Sequence, residues 1–196
     1  RPIKVGLIGA GKFGSMFLSQ VRHTPGIHLL CVADLSIPRA RAALGETGWV
    51  EEQFSSTTPA KALASGGTFL TDDSEQLINA GGMEVVIEAT GDPEAGIHHA
   101  LACIERGRHI IMVNVEADVL AGPLLAEKAA QAGCVYSMAY GDQPALICEQ
   151  VDWARACGFD VVAAGKGTRY LPEFHASTPD TVWDYYAARF TAEHAE

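Results

Sequence analysis

The sequence predicts an α/β fold, a doubly wound parallel sheet, and three observations predict it. Short apolar runs alternate with stretches of helical period, a glycine-rich turn joins the first run to the first helix, and an aspartate closes the second run. Apolar runs at 3–8, 28–33, 85–89, 109–113 and 134–137 read as strands. Helices are expected between them at 12–23, 38–44, 73–80, 93–106 and 121–131. Local punctuation supports these elements: Asp92 is placed to cap a helix that has Pro93 at its first position, and Gly107 and Gly133 follow helices as terminators. Residues 45–67 show no clear period and are rich in Ser, Thr and Gly, so they read as a long excursion on the rim.

The turn between the first strand and helix, Gly9-Ala10-Gly11-Lys12-Phe13-Gly14, spells G-x-G-x-x-G in the strand-to-helix context that gives the motif its meaning. Gly9 permits the tight turn, Gly11 lets the backbone approach a pyrophosphate, and Gly14 lets the helix pack closely on the strand. The N–H groups and positive dipole end of the helix then face the phosphates, with Ala10, Lys12 and Phe13 completing the loop. Asp34 lies 20 residues beyond Gly14, the spacing of the acid that binds the ribose hydroxyls. Together these define a Rossmann-type site for NAD(H) or NADP(H). Gly6, Gly11 and Lys12 also begin a P-loop, but Phe13 stands where that motif needs a Ser or Thr for magnesium. Asp34 favours NAD by repelling a 2′-phosphate. Ser36, Arg39 and Arg41 follow closely and either neutralise such a phosphate or sit as solvated helix residues, which leaves the cofactor open between the two.

At 196 residues the chain holds one well-cored domain and part of a second. Apolar residues make up 48% and charged residues 19%, enough core material to fold. A net charge of −10 provides no basis for gripping nucleic acid or an anionic membrane, whereas a dinucleotide is held by backbone N–H groups without net positive charge. The five cysteines form no C-x-x-C pair and read as reduced thiols. No apolar run approaches the roughly 18 residues of a membrane span, and no signal-peptide pattern is present, so a cytoplasmic location is expected. A small-molecule substrate and a homo-oligomer are the expected partners.

In an open parallel sheet the ligand lies outside the carboxyl ends of the strands. The runs Glu88-Ala89-Thr90-Gly91-Asp92 and Val113-Asn114-Val115-Glu116-Ala117-Asp118 occupy two such ends, placing Thr90, Gly91 and Asn114 beside the nicotinamide ribose. Glu116 and Asp118 either form a carboxylate pair for a divalent cation or are solvated charges at a helix start. Of His98 and His99, one is expected exposed and the other packed.

Residues 1–140 therefore read as a dinucleotide-binding domain, and after them the character shifts. Gly141-Asp142-Gln143-Pro144 opens a helix to about 157, and 159–164 reads as a strand ending in Gly165-Lys166-Gly167-Thr168. One helix and one strand bury little core, so 141–196 is expected to be the start of a second, catalytic α/β domain in a longer enzyme. Lys166 at a strand end is able to offset negative charge developing on the carbonyl oxygen of a hydride acceptor, or is a surface lysine in a turn. Asp142 anchors substrate hydroxyls, orients Lys166, or simply caps its helix.

The run Ile87-Glu88-Ala89-Thr90-Gly91-Asp92-Pro93, with Gly107-Arg108-His109-Ile110-Ile111-Met112-Val113-Asn114, resembles the cofactor domain of homoserine dehydrogenases. Val113 through Pro123, Met138-Ala139-Tyr140-Gly141-Asp142-Gln143-Pro144 and Ala164-Gly165-Lys166-Gly167-Thr168 resemble the deoxyxylulose-phosphate reductoisomerase-like group within that superfamily. The resemblance covers nearly the whole chain. It implies a Rossmann domain, a catalytic α/β domain and usually a small C-terminal β-rich domain. The implied activity is NADPH-dependent conversion of 1-deoxy-D-xylulose 5-phosphate to 2-C-methyl-D-erythritol 4-phosphate in isoprenoid biosynthesis; from their positions, Lys166, Asp142 and Glu116 are expected to position and polarise the substrate. Homoserine dehydrogenases commonly carry Lys directly after the residue matching Asn114 and Asn-Gly-Thr after a later strand; this chain has Val115 and Lys166-Gly167-Thr168.

Overall fold

The computed structural model describes residues 1–139, 145–165, 175–176, 178 and 180–181. The chain divides into two compact units, Arg1–Tyr140 and Gly141–Glu196. In the first, β1 (Ile3–Ile8), β2 (Ile27–Ala33), β3 (Phe69–Thr71), β4 (Val85–Glu88), β5 (His109–Met112) and β6 (Tyr136–Met138) form a parallel sheet in the order β3-β2-β1-β4-β5-β6. The order reverses direction beside β1, between the halves β1-β2-β3 and β4-β5-β6, which is where a doubly wound sheet opens a crevice.

Helices α1 (Lys12–Val21), α2 (Ile37–Glu46), α3 (Pro59–Ser65), α4 (Ser74–Ile78), α5 (Pro93–Glu105) and α6 (Val115–Gln131) complete this unit. The central strands are covered on both sides, which is why they read as unbroken apolar runs rather than alternating ones. One core packs Leu30, Val86 and Ile110 against Leu77 of α4, Cys103 of α5 and Leu125 of α6. The other packs Val5, Leu7 and Leu29 against Leu18 of α1, Leu44 of α2 and Phe54.

Three expectations change. Residues 45–67 are not a plain excursion: they hold α3 and a 3-10 turn at Glu51–Gln53, and they bury Phe54 in the core. Helix α6 begins at Val115, six residues before the expected start, because Asn114 caps it and Pro123 is accommodated inside it. The bond that Pro123 cannot make belongs to the carbonyl of Val119, on a face where Val119 is 85% exposed. Strand β3 is only three residues long and passes below the length at which periodicity is visible.

In the second unit, α7 (Ala145–Ala156) matches the helix expected there. Residues 159–165 form no strand, contrary to expectation. Phe159 is 62% and Val162 96% exposed, and the described residues of this unit offer no second strand to complete a ladder. Trp153 is also exposed on α7.

The thiols divide by burial. Burial pushes the Cys31 and Cys103 thiols up to about 12, whereas Cys148 and Cys157 are exposed. A thiol reagent at mildly alkaline pH is therefore expected to modify Cys148 and Cys157 in the folded chain, and Cys31 and Cys103 only after unfolding, as peptide mapping would read out. The neutral form is favoured by the fold, so this contribution to stability is complete below the ordinary thiol pKa of 9.0 and is lost as pH rises toward 12.

Candidate functional site

The carboxyl ends of β1, β2 and β4 open on a cleft of about 600 Å³, a size usual for small-molecule sites. Gly9 enters it at φ +97°, and a Cβ there would lie 2.6 Å from the carbonyl oxygen of Ala89. A Cβ on Gly14 would collide with the carbonyl oxygen of Gly9, so only glycine lets α1 start directly beneath the turn. Gly11 differs: nothing lies within 4 Å of where its Cβ would be, and it lines the cleft.

Gly11 is also the N-cap of α1, and among the described residues no side chain caps that helix. Ser36, Thr58, Asp73, Asp92 and Asn114 cap α2 to α6 with their own oxygens. The first-turn N–H groups of α1, among them those of the exposed Lys12 and Phe13, are thus left for an anion from the cleft. This uncapped turn, with open space at Gly11, fits the pyrophosphate of a dinucleotide.

Asp34 closes the adjacent side. Its Oδ2 accepts the Ala10 N–H at 2.8 Å and its Oδ1 accepts the Ser36 N–H at 2.8 Å, which fixes the carboxylate against the glycine turn. Arg39 adds its Nη2 at 2.7 Å and its Nε at 3.1 Å to Oδ1. The Asp34 side chain is fully buried, while that of Arg39 is 59% exposed at the cleft. A ligand approaching this corner meets the guanidinium before the carboxylate. Arg41 is turned away: it pairs with Glu51 and lies 5.7 Å over the ring of Phe54.

At the end of β4 the buried Glu88 carboxylate accepts the Thr90 hydroxyl at 2.5 Å and the Thr90 N–H at 3.3 Å, both on Oε1. The same oxygen lies 3.3 Å from Nδ1 of His99, whose Nε2 is 3.0 Å from the Ser74 hydroxyl. His99 is buried and His98 exposed, as expected of the pair. Asn114 is buried behind the cleft, donating to the Asp92 carbonyl oxygen at 2.6 Å and accepting from the Ala117 N–H at 3.0 Å. It therefore ties the loop after β4, which includes the exposed turn residue Gly91, to the start of α6.

Glu116 and Asp118 do not converge, because residues two apart on a helix face different ways. Glu116 is exposed, whereas Asp118 accepts the Tyr136 hydroxyl at 2.8 Å. Burial and that hydrogen bond hold the Tyr136 phenol above its usual range. The pair does not fit a divalent cation, and among the described residues no group of three or more His, Cys, Asp or Glu is arranged to hold one. Asp142 and Lys166 lie outside the described residues. Of the predicted residues, Gly9, Gly11, Asp34, Arg39 and Thr90 share one cleft, with Ala10 and Gly14 buried beneath the turn. Sequence reading gave no role to Ser74, and to Glu88 only a place at a strand end.

Fold and cleft define a dinucleotide-binding Rossmann domain. Residues 3–140 match the oxidoreductase family with an NAD-binding Rossmann fold, and the chain belongs to that family. Residues 141–195 match the catalytic domain of oxidoreductase DRL. Among solved structures, the chain is similar to a homoserine dehydrogenase from Thiobacillus denitrificans (19% identity, TM-score 0.57, covering 70% of this chain and 29% of that one). It is also similar to myo-inositol dehydrogenase from Lactobacillus casei in complex with NAD(H) and myo-inositol (16%, TM-score 0.57, 79% and 42%). A third is the WlbA dehydrogenase from Bordetella pertussis in complex with NADH and UDP-GlcNAcA (17%, TM-score 0.59, 81% and 43%). At these identities the likeness is one of fold, and the chain spans less than half the length of each structure. Among curated proteins, no sequence matches the chain. Among the described residues no helix is long and apolar enough to cross a membrane.

Proposed function

We propose that this chain is the cofactor half and part of the catalytic half of an NADPH-dependent oxidoreductase that reduces a small phosphorylated keto substrate, with reductoisomerisation of 1-deoxy-D-xylulose 5-phosphate as the reaction. The observation that carries the choice of NADPH is the Arg39–Asp34 pair. An Asp that would repel a 2′-phosphate is buried and neutralised, and the cation that neutralises it is exposed at the cleft. The match of residues 141–195 to the DRL catalytic domain supports the substrate class.

When bound, the cofactor supplies hydride. The residues of this chain hold it: the first turn of α1 takes the pyrophosphate, and Arg39 takes the 2′-phosphate. Lys166 offsets the negative charge that develops on the substrate carbonyl oxygen, and Asp142 and the exposed carboxylate of Glu116 position the substrate. No step is assigned to a divalent cation. Five unpaired thiols support a reducing, cytoplasmic setting.

The test is consumption of NADPH by the full-length protein with 1-deoxy-D-xylulose 5-phosphate. Turnover there supports the reading; turnover on homoserine instead overturns the substrate assignment. Lys166→Ala is expected to lower turnover by about 100- to 1000-fold while leaving NADPH affinity unchanged. An equal loss of affinity would place Lys166 in cofactor binding instead.

A further inference from the structure

A polar chain runs from the core of the first unit to its cleft. Glu88 is fully buried at the end of β4, His99 is buried on α5, and Ser74 lines the cleft at the start of α4. Among the described residues Glu88 Oε2 has no hydrogen-bond partner, and Oε1 receives Thr90 and His99. Placing a carboxylate there is a cost that an apolar residue would not carry. With the imidazole neutral and its Nδ1–H given to the Glu88 carboxylate, His99 presents Nε2 as an acceptor, and in that tautomer the Ser74 hydroxyl donates inward across 3.0 Å. The Ser74 oxygen is left to face the cleft with its lone pairs.

Ser, His and Glu in this sequence of hydrogen bonds also activate nucleophiles, but that use needs N–H donors beside the serine for a developing oxyanion. The N–H groups of Glu75 and Gln76 next to Ser74 are taken by the Asp73 carboxylate at 2.9 and 3.2 Å. An anion already sits where an oxyanion would form. The relay therefore orients the serine rather than activating it for attack.

Position and charge say what meets it. Gly11 follows β1, Asp34 follows β2 and Ser74 follows β3, so phosphate, ribose and base of an adenylate half would be met in that order. Asp72, two residues before Ser74, and Glu94 line the cleft as well, and their negative charge favours a hydrogen donor at that end. We propose that Ser74, held by His99 and Glu88, reads the base of the dinucleotide by accepting a hydrogen bond from the exocyclic amino group of adenine. This rests on the cofactor reading above and adds a base-selecting residue to it. Hypoxanthine carries a carbonyl in place of that amino group, so it meets lone pairs with lone pairs. Relief would require Ser74 to turn its proton outward and leave Nε2 of His99 unpaired.

The test compares NADPH with its hypoxanthine analogue, and with reduced nicotinamide mononucleotide, which lacks the adenylate half. The wild type is expected to prefer the adenine form by about tenfold, the worth of one good buried hydrogen bond. Ser74→Ala should abolish the preference, Ser74→Thr should restore it, and neither should change mononucleotide binding. A full preference retained in Ser74→Ala overturns the role of Ser74 alone. A wild type that binds neither dinucleotide overturns the cofactor reading and this inference with it.

Discussion

Gly11→Asp is expected to yield a folded protein that melts no lower than the wild type and binds neither NADH nor NADPH. The substitution is open to the backbone, since Gly11 has an extended φ of −75° and nothing within 4 Å of the new Cβ. Aspartate is among the best N-caps, a few tenths of a kcal/mol better than glycine. Its carboxylate would take the first-turn N–H groups of α1 and place a negative charge where the pyrophosphate belongs. Losing several charge-assisted hydrogen bonds and adding repulsion should weaken either cofactor by about 100-fold or more. Gly14→Ala behaves differently on the same account. Its Cβ collides with the carbonyl oxygen of Gly9, so overpacking should lower stability by about 1–3 kcal/mol. Thermal melts beside cofactor titrations separate the two: one glycine is kept for the ligand, the other for the fold.

Arg39→Ala is expected to reverse the cofactor preference. Removing the guanidinium loses its charge-assisted contact with a 2′-phosphate, worth about 1.5–3 kcal/mol. It also bares the Asp34 carboxylate, which then repels that phosphate and accepts from a 2′-hydroxyl. The ratio of NADPH to NADH affinity should fall by about 10- to 100-fold, mostly through NADPH. Equal weakening of both cofactors would mean that Arg39 acts only by holding Asp34 and the glycine turn in place. The Asp34–Ala10 hydrogen bond makes that second result physically distinct, because disturbing it alters the turn that both cofactors share.

Strands β1, β2 and β4 were legible because each is largely buried on both faces and leaves a mostly apolar run, and β5 keeps such a run although one of its faces is only half-buried. Helix α3 was hidden in a polar stretch, although Thr58 followed by Pro59 is a local start signal. The first turns of α6 were missed because the pattern carries no information on which side of the helix faces water, and so on where Pro123 is tolerated inside it. The apolar run at 159–164 shows the converse limit, since periodicity announces a strand without supplying the neighbour it must pair with.

The site divides in the same way. Gly9, Gly11, Gly14 and Asp34 were legible because turn and acid lie at a fixed spacing along the chain. That Arg39 covers Asp34 depends on a side-chain path that no spacing reveals. The Glu88–His99–Ser74 chain joins a strand end and two helices, and its hydrogen bonds span 11 and 25 residues. Only folding brings those groups together.

The most direct test of the central claim is a fluorescence titration of NADPH and NADH against the chain, repeated with Gly11→Asp and with ADP-ribose as competitor. The account predicts saturable binding that ADP-ribose displaces and that Gly11→Asp abolishes. Binding that survives Gly11→Asp, or no saturable binding of either cofactor to the wild type, would contradict it.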